Sequence, residues 1–175
     1  TFDFAQIVPK EHQSYIDYQF YKDHFGEDGN VMVVGVESPR LFDLDFINDW
    51  RQLGNEIEEI EGINAVISLT HSFNVVKDTA TRSFQIVPLV QGPFQSQQEV
   101  DSFRKEFINL PFYHGLIYNP STRATLMAIS FDQKYLDSKE RLEMVEVINE
   151  LGGKFQERHD VELHFSGLPF IRSYN

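Results

Sequence analysis

The chain has 175 residues, a formal net charge of −12 and an isoelectric point near 4.8. Phosphate backbones and anionic membrane surfaces repel such a balance, and no local Lys/Arg cluster offsets it, which excludes nucleic acid as a partner. Sixteen Phe supply apolar surface for a substantial core and exclude a disordered chain, while the absence of Cys removes disulfides, zinc–thiolate sites and thiol nucleophiles together.

Residues 1–29 form a polar and aromatic lead-in, extended to Pro9 and then helical from about Glu11 to His24. Phe25 to Asn30 carries the glycines and acids of a helix stop. Val31–Val36 is almost continuously apolar, the pattern of a central strand. It is also the longest apolar run, far short of the roughly 20 residues that span a bilayer. Ser38-Pro39 breaks the strand. Asp43 then caps a helix running to about Ile60, with Phe46, Trp50, Leu53, Ile57 and Ile60 at helical spacing, an amphipathic helix laid on a sheet. Glu61-Gly62 ends it, and Ile63–Thr70 reads as a strand with Ile63, Ala65, Ile67 and Leu69 on one face.

From His71 to Gln95 the pattern is irregular, with Pro88 and Pro93 and a polar loop over Asp78–Ser83. Ser96 opens a third helix with Glu99 at the capping-box position and Val100, Phe103, Phe107 and Leu110 as its buried stripe; Pro111 stops it. Gly115–Tyr118 and Arg123–Phe131 flank a turn sequence and predict a hairpin. A fourth helix is expected from near Asp137 to about Lys154, where Gly152-Gly153 reads as its terminus. The last strand, Val161–Ser166, places Val161, Leu163 and Phe165 inward. A strand–helix–strand unit thus occurs twice, over Asn30–Thr70 and Arg123–Ser166. With the insertion at about 71–118 removed, residues 30–175 read as one α+β domain of ferredoxin-like β-α-β-β-α-β order: an antiparallel sheet with helices on one face.

Catalytic patterns are missing from this sequence: no Gly-rich phosphate loop, no HExxH, no GxSxG and no EF-hand. His159 and His164 come nearest to a metal-ligand spacing but straddle a helix end and a strand, with His164 on the polar face. The carboxylates Asp43, Asp45, Glu56, Glu58, Glu59 and Glu61 read as a helix cap and a solvated face. Val34-Gly35-Val36-Glu37-Ser38-Pro39-Arg40 resembles the phosphate loop of acylphosphatases, yet Glu37 stands where an anion should bind and Pro39 lacks an N–H. The expectation is therefore no catalytic residue, no metal and no cofactor, with substrate-binding residues unassigned.

Four stretches carry a resemblance covering nearly the whole chain. Phe20-Tyr21-Lys22-Asp23-His24-Phe25-Gly26 precedes the first strand. Glu59 to Leu69 follows as a Glu-Gly-apolar run, and Leu116 to Leu126 supplies the later hairpin. Val161 to Pro169 ends in Gly-x-Pro. In order and spacing they resemble the porter region of resistance–nodulation–division (RND) exporters, particularly the MMPL-like branch. The resemblance implies an extracytoplasmic module of a proton-driven integral membrane exporter, with both ends continuing into membrane helices. It also implies the transmembrane and remaining porter parts of the same transporter as partners, a lipidic or hydrophobic small-molecule substrate, and room for homo-oligomerisation. A free-standing ferredoxin-like ligand-binding or regulatory domain, or a small hydrolase, are the alternatives.

Overall fold

A computed structural model describes residues 29–78, 83–110, 113, 115–136 and 139–173; the lead-in helix expected over Glu11–His24 lies outside them. The apolar run ahead of Ser38 forms β1 (Val31–Glu37). Then come α1 (Leu44–Glu58), β2 (Ile63–Ile67), β3 (Phe73–Asp78), β4 (Ser83–Pro88) and α2 (Gln97–Ile108). The chain continues through β5 (Tyr118–Asn119), β6 (Ala124–Phe131), a short 3-10 turn over Gln133–Tyr135, α3 (Glu140–His159), β7 (Leu163–Ser166) and α4 (Leu168–Ile171). The class is α+β. The main sheet is antiparallel, in the order β2-β6-β1-β7 with β5 added beside β6, while β3 and β4 form a separate two-stranded sheet.

Register explains which face is buried. Met32, Val34 and Val36 stand opposite Ile129, Met127 and Thr125, and all six are buried. Alternate residues Val31 and Leu126 belong to the other, more open face and are partly exposed. α1 and α3 cover the buried face together. Phe46, Trp50 and Ile57 of α1 and Ile148 and Phe155 of α3 join one core. Phe155 meets Phe46 and Trp50 edge-on at 5.1 and 5.4 Å, a geometry aromatic quadrupoles favour.

Four expectations change. The irregular stretch after His71 contains the β3–β4 hairpin, paired from Phe73↔Pro88 to Asp78↔Ser83. Pro88 sits at the open end of that ladder, where a missing N–H costs little, and does not break it. The centre of the expected 78–83 loop, residues 79–82, lies outside the described residues. Second, β2 stops at Ile67, and its inward residue is Val66 rather than Ala65 or Ile67. A register shift between Ile63 and Ala65 turns the strand over, which exchanges its faces; Leu69 is nonetheless buried beyond the strand.

Third, α3 runs past Gly152-Gly153 to His159 and ends at Asp160 in the left-handed region. Gly152 is there for proximity. A Cβ at this position would lie 2.9 Å from Phe165 Cζ and 3.2 Å from Leu163 Cδ1, so the missing side chain lets α3 approach β7. Fourth, β7 starts at Leu163, leaving Val161 outside the strand, and only Leu163 is fully buried while Phe165 is half-buried. Its outer edge is blunted: the Leu163 N–H donates to Gln156 Oε1 at 2.6 Å, removing one donor that would otherwise invite another strand.

Other boundaries follow local rules. Asp43 takes the N-cap position of α1 in extended conformation, but its side chain makes no cap bond, being held by Arg40. Ser96 accepts from the Glu99 N–H at 3.3 Å. Glu99 Oε2 reaches back to the Gln95 N–H at 2.8 Å, one residue earlier than in the usual reciprocal box.

Candidate functional site

The start of β1 and the segment after β7 meet at one spot. Because β7 runs antiparallel beside β1, with Ser166 opposite Val33, the beginning of β1 and the end of β7 share one end of the sheet. Gly29 (φ +98°) lies where a Cβ would be 2.4 Å from Leu168 Cδ1; at Gly167 (φ +105°) a Cβ would be 2.3 Å from the Val31 carbonyl oxygen. Both are positions that only glycine fills without strain. The segment after β7 is also tied to α3. Arg141 donates from Nη1 to the Leu136 carbonyl and from Nη2 to the Arg172 carbonyl at 3.2 Å, and Phe170 stacks on Phe165 at 5.6 Å. Val31, Leu168 and Ile171 expose apolar surface around this joint.

A second constellation lies between α1 and the turn after β2. His71 Nδ1 is 2.8 Å from Ser68 Oγ and 3.3 Å from Thr70 Oγ1, and Nε2 is 3.0 Å from Asn55 Oδ1. The amide oxygen only accepts, so the proton of neutral His71 sits on Nε2 and Ser68 donates to Nδ1. Burial, reinforced by Arg51, pushes the His71 pKa down to about 4. Ser, His and Asn in this order suggest a nucleophile with its base, but Ser68 is fully buried. Its Oγ also accepts from the N–H groups of Thr70 and His71 at 3.3 Å. It holds a turn. The ring packs against Gly54, where a Cβ would lie 2.2 Å from His71 Cε1.

The histidines singled out in the sequence go different ways. His159 is buried, with Nε2 2.8 Å from Asp49 Oδ2 and its ring against both Phe46 and Phe155; it pins α3 to α1. His164 is exposed on β7 beside Glu162. Among the described residues, no group of three or more His, Cys, Asp or Glu is placed to hold a metal ion. Arg40 is engaged by Asp43 at 3.1 Å and Asp45 at 2.7 Å; the hydrogen bond to Asp43 and the charge of Asp45 raise its pKa. The loop's N–H groups are spent internally: Ser38 N on the Arg123 carbonyl and Arg40 N on Ser38 Oγ. The remaining carboxylates, Glu56, Glu58, Glu59 and Glu61, are exposed at the end of α1 and just beyond it, and Glu61 accepts from the Tyr135 hydroxyl.

An open groove of 620 Å³ lies between the 89–94 segment and α2. Phe94 and Phe103, 5.3 Å apart, form its wall, and Glu99 and Glu106 line it from α2. Asn48 of α1 fixes the wall, donating to the Phe94 carbonyl at 2.9 Å and accepting from its N–H at 2.8 Å. Sequence reading missed the groove because its lining, all from Leu89 to Glu106, takes shape only where Asn48 of the distant α1 fixes Phe94. The signal within reach was the paired Phe94 and Phe103 above a helix face carrying Glu99 and Glu106.

No protein-family model matches the chain, and no curated protein matches it. No described helix is long and apolar enough to cross a membrane.

Proposed function

We propose that the chain is the extracytoplasmic porter module of a proton-driven RND-type exporter of the MMPL-like branch, shaping the path of a lipidic or hydrophobic substrate. On this reading β1, α1, β2, β6, α3 and β7 are a ferredoxin-like core, elaborated by the β3–β4 hairpin, α2 and β5. The observation that carries the proposal is the joint of β1 with the segment after β7. A module inserted between two membrane helices needs both connections on one side, a reading supported by the residue ahead of β1, Gly29, lying beside Leu168 just after β7. Exposed Val31, Leu168 and Ile171 supply apolar surface at the same end, where a membrane-facing partner would sit. The partners are then the transmembrane and other porter parts of the same transporter. The role is non-catalytic, since Ser68, the partner of His71, is buried in a turn and Arg40 is neutralised by two carboxylates. The test is the parent gene: apolar stretches of about 20 residues on both sides of the chain are expected, and their absence on either side overturns the proposal.

A further inference from the structure

We propose that the groove between the 89–94 segment and α2 binds a small lipophilic organic cation, a function that stands whether or not the exporter reading holds. Its 620 Å³ falls within the range of small-molecule sites, roughly 300–1,000 Å³. The site is held open before any ligand arrives: Asn48 clamps Phe94 through both backbone groups, and Ser96 and Glu99 cap the helix beside it. Preformed walls reduce the ordering cost of binding.

Charge selects the occupant. Glu99 and Glu106 line the groove, and no Lys or Arg is among its described lining residues. Arg104, on the same helix, lies instead over the Phe42 ring at 4.9 Å. Glu99 uses Oε2 on the Gln95 N–H, which leaves its other oxygen for a ligand. An anion here would meet two uncompensated carboxylates. A cation meets those carboxylates and the half-buried ring of Phe94, an aromatic that favours positive charge over its face within about 6 Å; Phe103 is buried behind it and backs that ring. Within a largely polar lining, the apolar groups of Leu89, Val90 and Pro93 give the hydrocarbon body of such a cation a contact that a hydrated metal ion would not use.

The experiment is isothermal titration of the 175-residue chain with tetraphenylphosphonium, using the near-isosteric anion tetraphenylborate as the charge control at fixed ionic strength. Saturable one-site binding of the cation and none of the anion is expected. Glu106→Gln should weaken binding by about threefold, the effect of neutralising one partly solvated carboxylate, and Glu99→Gln/Glu106→Gln should weaken it further. Glu146→Gln/Glu157→Gln, on the exposed face of α3, should leave it unchanged. Glu106 contributes no side chain to the helix cap, so the single variant carries the test should the Glu99 change disturb folding. Absence of cation binding at millimolar concentration, equal binding of both ions, full affinity in Glu106→Gln, or an equal loss in the α3 control would each overturn the proposal.

Discussion

His71 should make this fold lose stability in a defined acidic window, and His71→Gln should remove that loss. The folded state holds the neutral imidazole, with Nε2 donating to Asn55 and Nδ1 accepting from Ser68, and its pKa falls to about 4 through burial and Arg51. The unfolded chain takes the proton near the ordinary value of about 6.5. The histidine's contribution is therefore complete above about pH 6.5 and is lost as pH falls from there to about 4, below which both states are protonated. Linkage puts the loss at about 2 kcal/mol by pH 5 and about 3 kcal/mol by pH 4, upper figures because the side chain is only partly buried. Urea unfolding of both proteins at pH 7.5, 6, 5 and 4 reads it directly. The other titrating groups are common to both, so the difference between the two pH profiles isolates residue 71. His71→Gln should be less stable than wild type at pH 7.5 and draw level or better by pH 4. Parallel profiles across this range would refute the assignment of a neutral, hydrogen-bonded His71.

Trp50→Ala should lower stability by about 3–5 kcal/mol, measured as an unfolding midpoint, since Trp50 is 1% exposed in the core between α1 and α3; a near-wild-type midpoint would mean that α1 does not face the sheet. Gly167→Ala should cost at least about 2 kcal/mol, because positive φ and a collision with backbone at Val31 act together and neither can relax through a side chain. A neutral outcome in chemical denaturation would show that the joint of β1 with the segment after β7 is looser than described.

Much of the architecture was legible because it rests on local rules. The uninterrupted apolar β1, the helical stripe from Phe46 to Ile57 and the Ser96–Glu99 cap each satisfy a periodicity or a donor count that neighbouring residues alone determine. What escaped depends on residues distant in sequence. Gly152 signals a helix end by composition, yet it lies inside α3 because Phe165 must approach it. Ala65 and Ile67 have the right alternation for a buried face, yet the irregularity beside Ile63 turns them outward. Pro88 makes its stretch irregular as a sequence, yet its partner, Phe73, places it at the end of a ladder.

The same division separates the visible chemistry from the functional candidates. Single residues such as Arg40 and His164 attract attention as sequence features, but the fold assigns Arg40 to two carboxylates and His164 to solvent. The arrangements with chemical consequence are composite. Asn55 and Gly54 receive His71 across a helix and a turn, and Asn48 of α1 fixes the wall of a groove whose other side is α2. In both, α1 presents an Asn to a segment outside the sheet while Trp50, Leu53 and Ile57 remain buried beneath. One helix thus uses its inner stripe to fix the fold and its flanks to fix the turn and the groove. The placement of both the histidine network and the groove wall therefore depends on the same helix.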